Sequence, residues 1–128
     1  QTWPGQSGQK LYGIISSTGA FVRNHPDTVK RFIEALVEAE AFLKDDKKTV
    51  SAFIMRHFDY TEEYVRVLLR KFEFKISLDQ SMLLAMESAA RWLVESGSIE
   101  KKATPNYLDL IYFDALEAVK PEAVTIVH

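Results

Sequence analysis

Leu11-Tyr12-Gly13-Ile14-Ile15-Ser16, a short apolar run with β-branched residues at its centre, follows a Gly-rich stretch and is closed by Ser17-Thr18-Gly19. That pattern predicts a buried strand. A strand alone leaves its backbone donors and acceptors unpaired, so it must lie beside another, and the only partner the sequence offers is the β-branched tail Val124 to Val127. The shortage of strands points to a sheet whose remaining members lie in missing chain.

Working outward, nearly everything after the strand is helical in pattern. Ala20 to Arg23 reads as a short helical turn. His25-Pro26-Asp27 then opens a helix, because proline at a first helical position has no N–H to lose and aspartate complements the positive end of the dipole. Val29, Phe32, Ile33, Leu36 and Val37 fall on one face, which runs to about Leu43 and a charged corner at Lys44 to Lys48. Thr49 to Phe58 repeats the spacing with Val50, Phe53, Ile54, His57 and Phe58. Asp59 to Glu62 forms a capping-box pattern before a third helix with Val65, Leu68, Leu69 and Phe72 inward. Ser77 to Gln80 offers a similar start to the longest helix, whose stripe is Met82, Met86, Ala89, Ala90, Leu93 and Val94 and whose end is marked by Gly97. After a basic loop over Ile99 to Thr104, a last helix is expected from Tyr107 to Val119, stopped by Pro121. The expected architecture is mostly α, with about five helices and one N-terminal strand.

Composition sets the outer bounds. A chain of 128 residues, 47% hydrophobic and 27% charged, can bury a single core without staples. The lack of Cys excludes Cys-based zinc sites, iron–sulfur clusters, thiol nucleophiles and disulfides. With 16 basic against 18 acidic residues, no strong field exists to gather nucleic-acid phosphates or anionic lipid. Gln1 to Gly8 has linker chemistry, not that of a secretion signal, and reads as the start of a processed or cut fragment. No apolar run is long enough to span a bilayer.

Candidates for chemistry are few. His25 reads as a capping or solvent-facing residue, His57 as an imidazole on or beside an apolar face, and no pair of histidines has metal-ligand spacing. Asp45, Asp46 and Asp59 lack the order of an EF-hand loop, and Glu62 and Glu63 sit in a first helical turn. Ser16 to Gly19 has no phosphate-loop Lys, so turn and capping roles are expected. Met82 and Met86 are core filler by spacing. Trp3, beside Pro4-Gly5, belongs to no helical stripe; it either packs into a neighbouring domain or lines a ligand cleft. No nucleophile–base or metal constellation stands out, so no catalytic residue, metal or cofactor is expected.

The order of the pieces carries a resemblance. The strand Leu11 to Ser17, followed by Gly19-Ala20-Phe21-Val22-Arg23-Asn24-His25-Pro26-Asp27-Thr28-Val29 and its helix to Leu36, resembles the return segment of substrate-binding proteins that feed ABC importers. The likeness is to the nitrate, sulfonate and taurine type and to relatives that bind a thiamine pyrimidine precursor. Phe74 to Ser81 before the long helix, Trp92 to Gly97 at its end, and Pro105-Asn106-Tyr107-Leu108-Asp109 before the last helix are similar to that family as well. The resemblance covers nearly all of this chain but only the C-terminal part of the family's length.

It implies a fragment of an α/β type II periplasmic-binding fold, in which two lobes close on a small solute. Residues 1–10 would be a crossing segment or linker and residues 11–128 the C-terminal portion of lobe I. A sulfonate, nitrate, taurine or pyrimidine-like solute and a membrane permease would be the partners, nucleic acid would not, and the location would be periplasmic or otherwise extracytoplasmic. Trp3, Gln6 and Tyr12, which flank the implied crossing, are the expected ligand-binding residues. Helices shaped to lie on an absent sheet should leave an apolar surface that makes the fragment self-associate. Two alternatives stand beside this: a sensory ectodomain built on the same fold, and an independent helical interaction module with its strand as an arm. An enzyme is the class least expected, although some pyrimidine-precursor relatives perform synthesis.

Overall fold

A computed structural model describes residues 12–100 and 105–128. Its elements are α1 (Gly19–Asn24), α2 (Pro26–Asp45), α3 (Lys47–Phe58), α4 (Glu62–Lys71), α5 (Gln80–Glu95) and α6 (Asp114–Val119), with 3-10 turns at Tyr107–Leu110 and Pro121–Ala123. The protein is mostly helical, as the periodicity requires. The expected strand at Leu11 to Ser16 is not formed: Leu11 lies outside the described residues, and no strand occurs among those described. Residues 12–18 stay out of helix, and residues 13–17 make no backbone hydrogen bond among the described residues. The tail that could have paired with them is used elsewhere.

The described residues divide into two compact units, one drawn from Gln1–Pro26 and Ser77–His128, the other from Asp27–Ile76. In the first, Leu78 and Val124 form a parallel bridge, the Leu78 N–H donating to Ala123 O at 2.9 Å and the Thr125 N–H to Leu78 O at 2.9 Å. This bridge lays the tail beside the start of α5. The core then forms from Met82, Leu83, Phe113 and Ile126, flanked by Tyr12, Leu78, Met86, Tyr107, Leu108, Ile111 and Val124.

Within this unit the expected single helix from Tyr107 to Val119 is broken. Asn106 caps a 3-10 turn through the Leu108 N–H, Ile111 is extended, and α6 begins only at Asp114. The physical reason lies in Ile111-Tyr112-Phe113. With extended backbone at Ile111, Ile111 and Phe113 both turn to the core while Leu110 and Tyr112 stay exposed, a period-2 arrangement. Burying Phe113 outweighs the helical propensity of the stretch. At α5, Asp79 is the cap rather than Ser77, accepting from the Met82 N–H at 3.0 Å. Gly97 (φ 71°) closes the helix as expected: Ser98 N–H donates to Leu93 O and Gly97 N–H to Val94 O, a Schellman arrangement that needs the left-handed conformation.

The second unit is built from α2, α3 and α4, of which α3 and α4 pack together. Pro26 starts α2 as expected, and Asp46 caps α3 by accepting from the Thr49 N–H. The capping box placed at Asp59 shifts by two residues. Asp59 is left-handed (φ 54°, ψ 39°) and ends α3, whereas the extended Thr61 accepts from the Tyr64 N–H and starts α4. An N-cap needs extended backbone, which Asp59 has given up to terminate the preceding helix. Only Val50, Val65 and Glu40 are buried in this unit. Phe32, Phe53, Phe58 and Phe72, assigned inward by spacing, are all exposed, with Phe53 and Phe58 meeting the neighbouring rings of His57 and Tyr60 instead of a core. Of the stripe expected on α5 in the other unit, Met82 is buried and Ala89 is exposed, while the unassigned Leu83 is buried.

Candidate functional site

Of the three expected ligand-binding residues, Trp3 and Gln6 lie outside the described residues, so the structure locates only Tyr12. Its ring packs on the core of the first unit and its hydroxyl reaches the first turn of α5. There it donates to Asp79 Oδ1 at 3.0 Å and meets Ser81 Oγ at 2.6 Å. Asp79 is the centre of this group. Oδ1 also accepts from Ser81 Oγ at 2.6 Å and from the Met82 N–H, and Oδ2 faces Ser77 Oγ at 3.4 Å. A carboxylate so fully supplied with donors acts as a clamp: it caps α5 and fastens the segment before α1 to it. Tyr12 is thus a structural bolt through its hydroxyl, leaving its half-buried ring as the part able to line a cleft.

The second arrangement is a run of rings on α3, α4 and the turn between them. His57 stacks on Phe53 with centroids 5.2 Å apart and meets the edge of Phe58 at 4.8 Å. Phe58 stacks on Tyr60 at 5.6 Å, and Tyr60 meets Tyr64 edge-on at 4.7 Å. Phe53 and His57 are one helical turn apart, which is why they stack. Phe53, Arg56 and His57 also line an open concavity of about 380 Å³. His57 is therefore a rung of an exposed ladder, not a packed core residue.

Two further side chains were not singled out by the sequence. Glu40 is 6% exposed, with Oε1 2.6 Å from Lys44 Nζ and Oε2 accepting from the Ile76 N–H at 2.9 Å. The Glu-to-Lys spacing of four was a visible cue; the tie to Ile76, 36 residues on, was not. His128 stacks on Phe113 at 3.9 Å with the rings 4° from parallel, its Nδ1 is 3.2 Å from Ile126 O and its Nε2 3.3 Å from Glu117 Oε1. When protonated, this ring donates from both nitrogens. His25 contacts the Phe21 ring at 4.9 Å.

Donation from Thr49, by its hydroxyl first and its backbone N–H second, holds the Asp46 carboxyl below the usual range. No group of three or more His, Asp or Glu among the described residues could hold a metal ion. No helix among them is long and apolar enough to cross a membrane. Nothing positive points to enzyme function. No family model matches the chain, and no curated protein and no solved structure matches it.

Proposed function

We propose that this chain is the C-terminal portion of lobe I of a solute-binding protein that serves an ABC importer. The observation that carries the reading is the exposed aromatic surface of the helices in the second unit, and the state of residues 13–17 agrees with it. Ile14 is 61% and Ile15 64% exposed, and the backbone around them has no partner among the described residues. A β-branched pair in non-helical chain, held in place on one side by the Tyr12 bolt, is what remains when a strand loses its sheet. The exposed aromatic faces of α2, α3 and α4 fit the same picture, as helices that cover a sheet contributed by other residues. The solute would sit between this lobe and a second one, beside Trp3, Gln6 and the ring of Tyr12. Binding to both lobes would favour closure, and the permease would read the closed form.

The unpaired segment also favours a second reading, an independent helical interaction module with an N-terminal arm. Exposure separates the two. A self-sufficient module buries its apolar faces within one copy, whereas here eight Phe and Tyr residues of the second unit are exposed. The test is a thermal-shift screen of the intact gene product against taurine, other sulfonates, nitrate and pyrimidine solutes. A solute at a hundred times its Kd should add about 2.7 kcal/mol to stability and raise the melting temperature. A gene product with no residues upstream to form a sheet, or one that responds to none of these solutes, would overturn the importer reading.

A further inference from the structure

After α4 the chain runs Phe72-Glu73-Phe74-Lys75-Ile76, outside any helix and with apolar and charged residues in strict alternation. Phe72 opens it in extended backbone (φ -104°, ψ 134°). Successive residues of an extended chain turn their N–H and C=O groups to opposite edges, as they turn their side chains to opposite faces. One edge is engaged: the Phe72 N–H donates to Leu68 O at 3.0 Å and the Ile76 N–H to Glu40 Oε2 at 2.9 Å. The other edge carries the backbone groups of Glu73 and Lys75, which form no hydrogen bond among the described residues. Both side chains are exposed, and neither makes an ion pair among the described residues. On the apolar face Phe72 and Phe74 are 59% and 40% exposed and Ile76 is half-buried. A free edge of this kind is a template for another strand.

We propose that this edge pairs with the same segment of a second copy, antiparallel and two-fold symmetric about Phe74. The choice of a second copy rests on a charge complementarity that the pairing itself dictates. With Phe74 opposite the partner's Phe74, Glu73 faces the partner's Lys75, Lys75 faces the partner's Glu73, and Phe72 faces the partner's Ile76. The two charged pairs are the ones whose backbone groups are free. Each exchanges both of its N–H···O bonds, while the Phe74 rings form the closer, non-hydrogen-bonded pair. Like charges meet only on the diagonal, at about 7–8 Å, farther apart than the opposite charges beside them. One step outward, Lys71 at the end of α4 falls opposite neutral Ser77, so no further charge opposes the pairing. A single pair of short strands is marginal in water, and the association is accordingly weak and concentration-dependent. The faces of α2, α3 and α4 take no part in it, and this inference does not depend on the solute-binding reading.

Sedimentation equilibrium on the 128-residue chain, from micromolar to millimolar concentration, supplies the test. The unaltered chain should associate. Lys75→Glu alone, or Glu73→Lys alone, sets like charges against each other in both pairs and should weaken association about tenfold. The double variant Glu73→Lys with Lys75→Glu keeps opposite charges facing each other and should associate as the original does. Mixing the two single variants should recover association for the same reason. Both positions are exposed, and an unchanged helical circular-dichroism signal verifies that each variant is folded. A chain that stays monomeric to millimolar concentration overturns the proposal. So do single variants that associate as tightly as the original, which would place the contact on another surface, and a double variant or a mixture that remains as weak as the single variants.

Discussion

The two units use the same helical spacing and reach different ends. In the first, Leu78, bridged to Val124, and Ile111 and Phe113 pack with Met82 and Leu83 of α5 in one core. In the second, α2, α3 and α4 carry apolar stripes as well, but many of their Phe and Tyr rings are exposed. An amphipathic helix is stable in a protein through what it packs against, more than through its own propensity. The stripe tells which way a helix wants to face. Whether anything is there to meet it depends on distant residues.

Substitutions can sharpen this contrast. The largest effect is expected at Phe113, buried among Met82, Leu83 and Ile126 and stacked on His128. Phe113→Ala should destabilise the chain by about 3–5 kcal/mol in denaturant unfolding. Glu40→Ala removes the acceptor of the Ile76 N–H and should cost about 1–3 kcal/mol, showing that the second unit is held by a polar clasp where apolar burial is thin. Gly97→Ala forces a side chain into a left-handed conformation and should cost about 1–2 kcal/mol by the same measurement.

Acid should act on the second unit at Asp46. Its folded-state pKa is lowered by Thr49, so its contribution is complete above the unfolded value and is lost as the pH falls through the folded one, below about pH 4. Asp46→Asn should flatten the acid limb of a pH–stability profile in that window. The smallest effect is expected at Phe53, where Phe53→Ala should change stability by no more than about 0.5 kcal/mol despite removing as large a ring as Phe113→Ala. A large loss at Phe53 would mean that the two units do not differ in the way described.

What could be seen in the sequence follows the range of the interactions. Pro26 at a helix start and Gly97 past a helix end depend on neighbours within one or two turns, and they appear in the structure where local chemistry puts them. The error at Asp59 was also local: one residue could end α3 or start α4, and the left-handed conformation decided for the former. The broken last helix was not legible, because Phe113 leaves the helical path to reach Met82, Leu83 and Ile126. Nor was the fate of Val124, which pairs with Leu78 instead of residues 11–16. Of the candidate site, Tyr12 was picked for its position beside the implied crossing. Its bond to Asp79, 67 residues away, is a contact that no local pattern announces.

Amide hydrogen exchange at Gly13 to Ser17 bears most directly on the claim that this segment and the faces of α2 to α4 are built for residues this chain does not supply. In the 128-residue chain these amides should exchange at nearly the rate of an unstructured peptide while Leu78 and Thr125 are protected, and in the full gene product they should become as slow as core amides. Slow exchange at Gly13 to Ser17 in the monomeric chain by itself, or fast exchange in both forms, would contradict it.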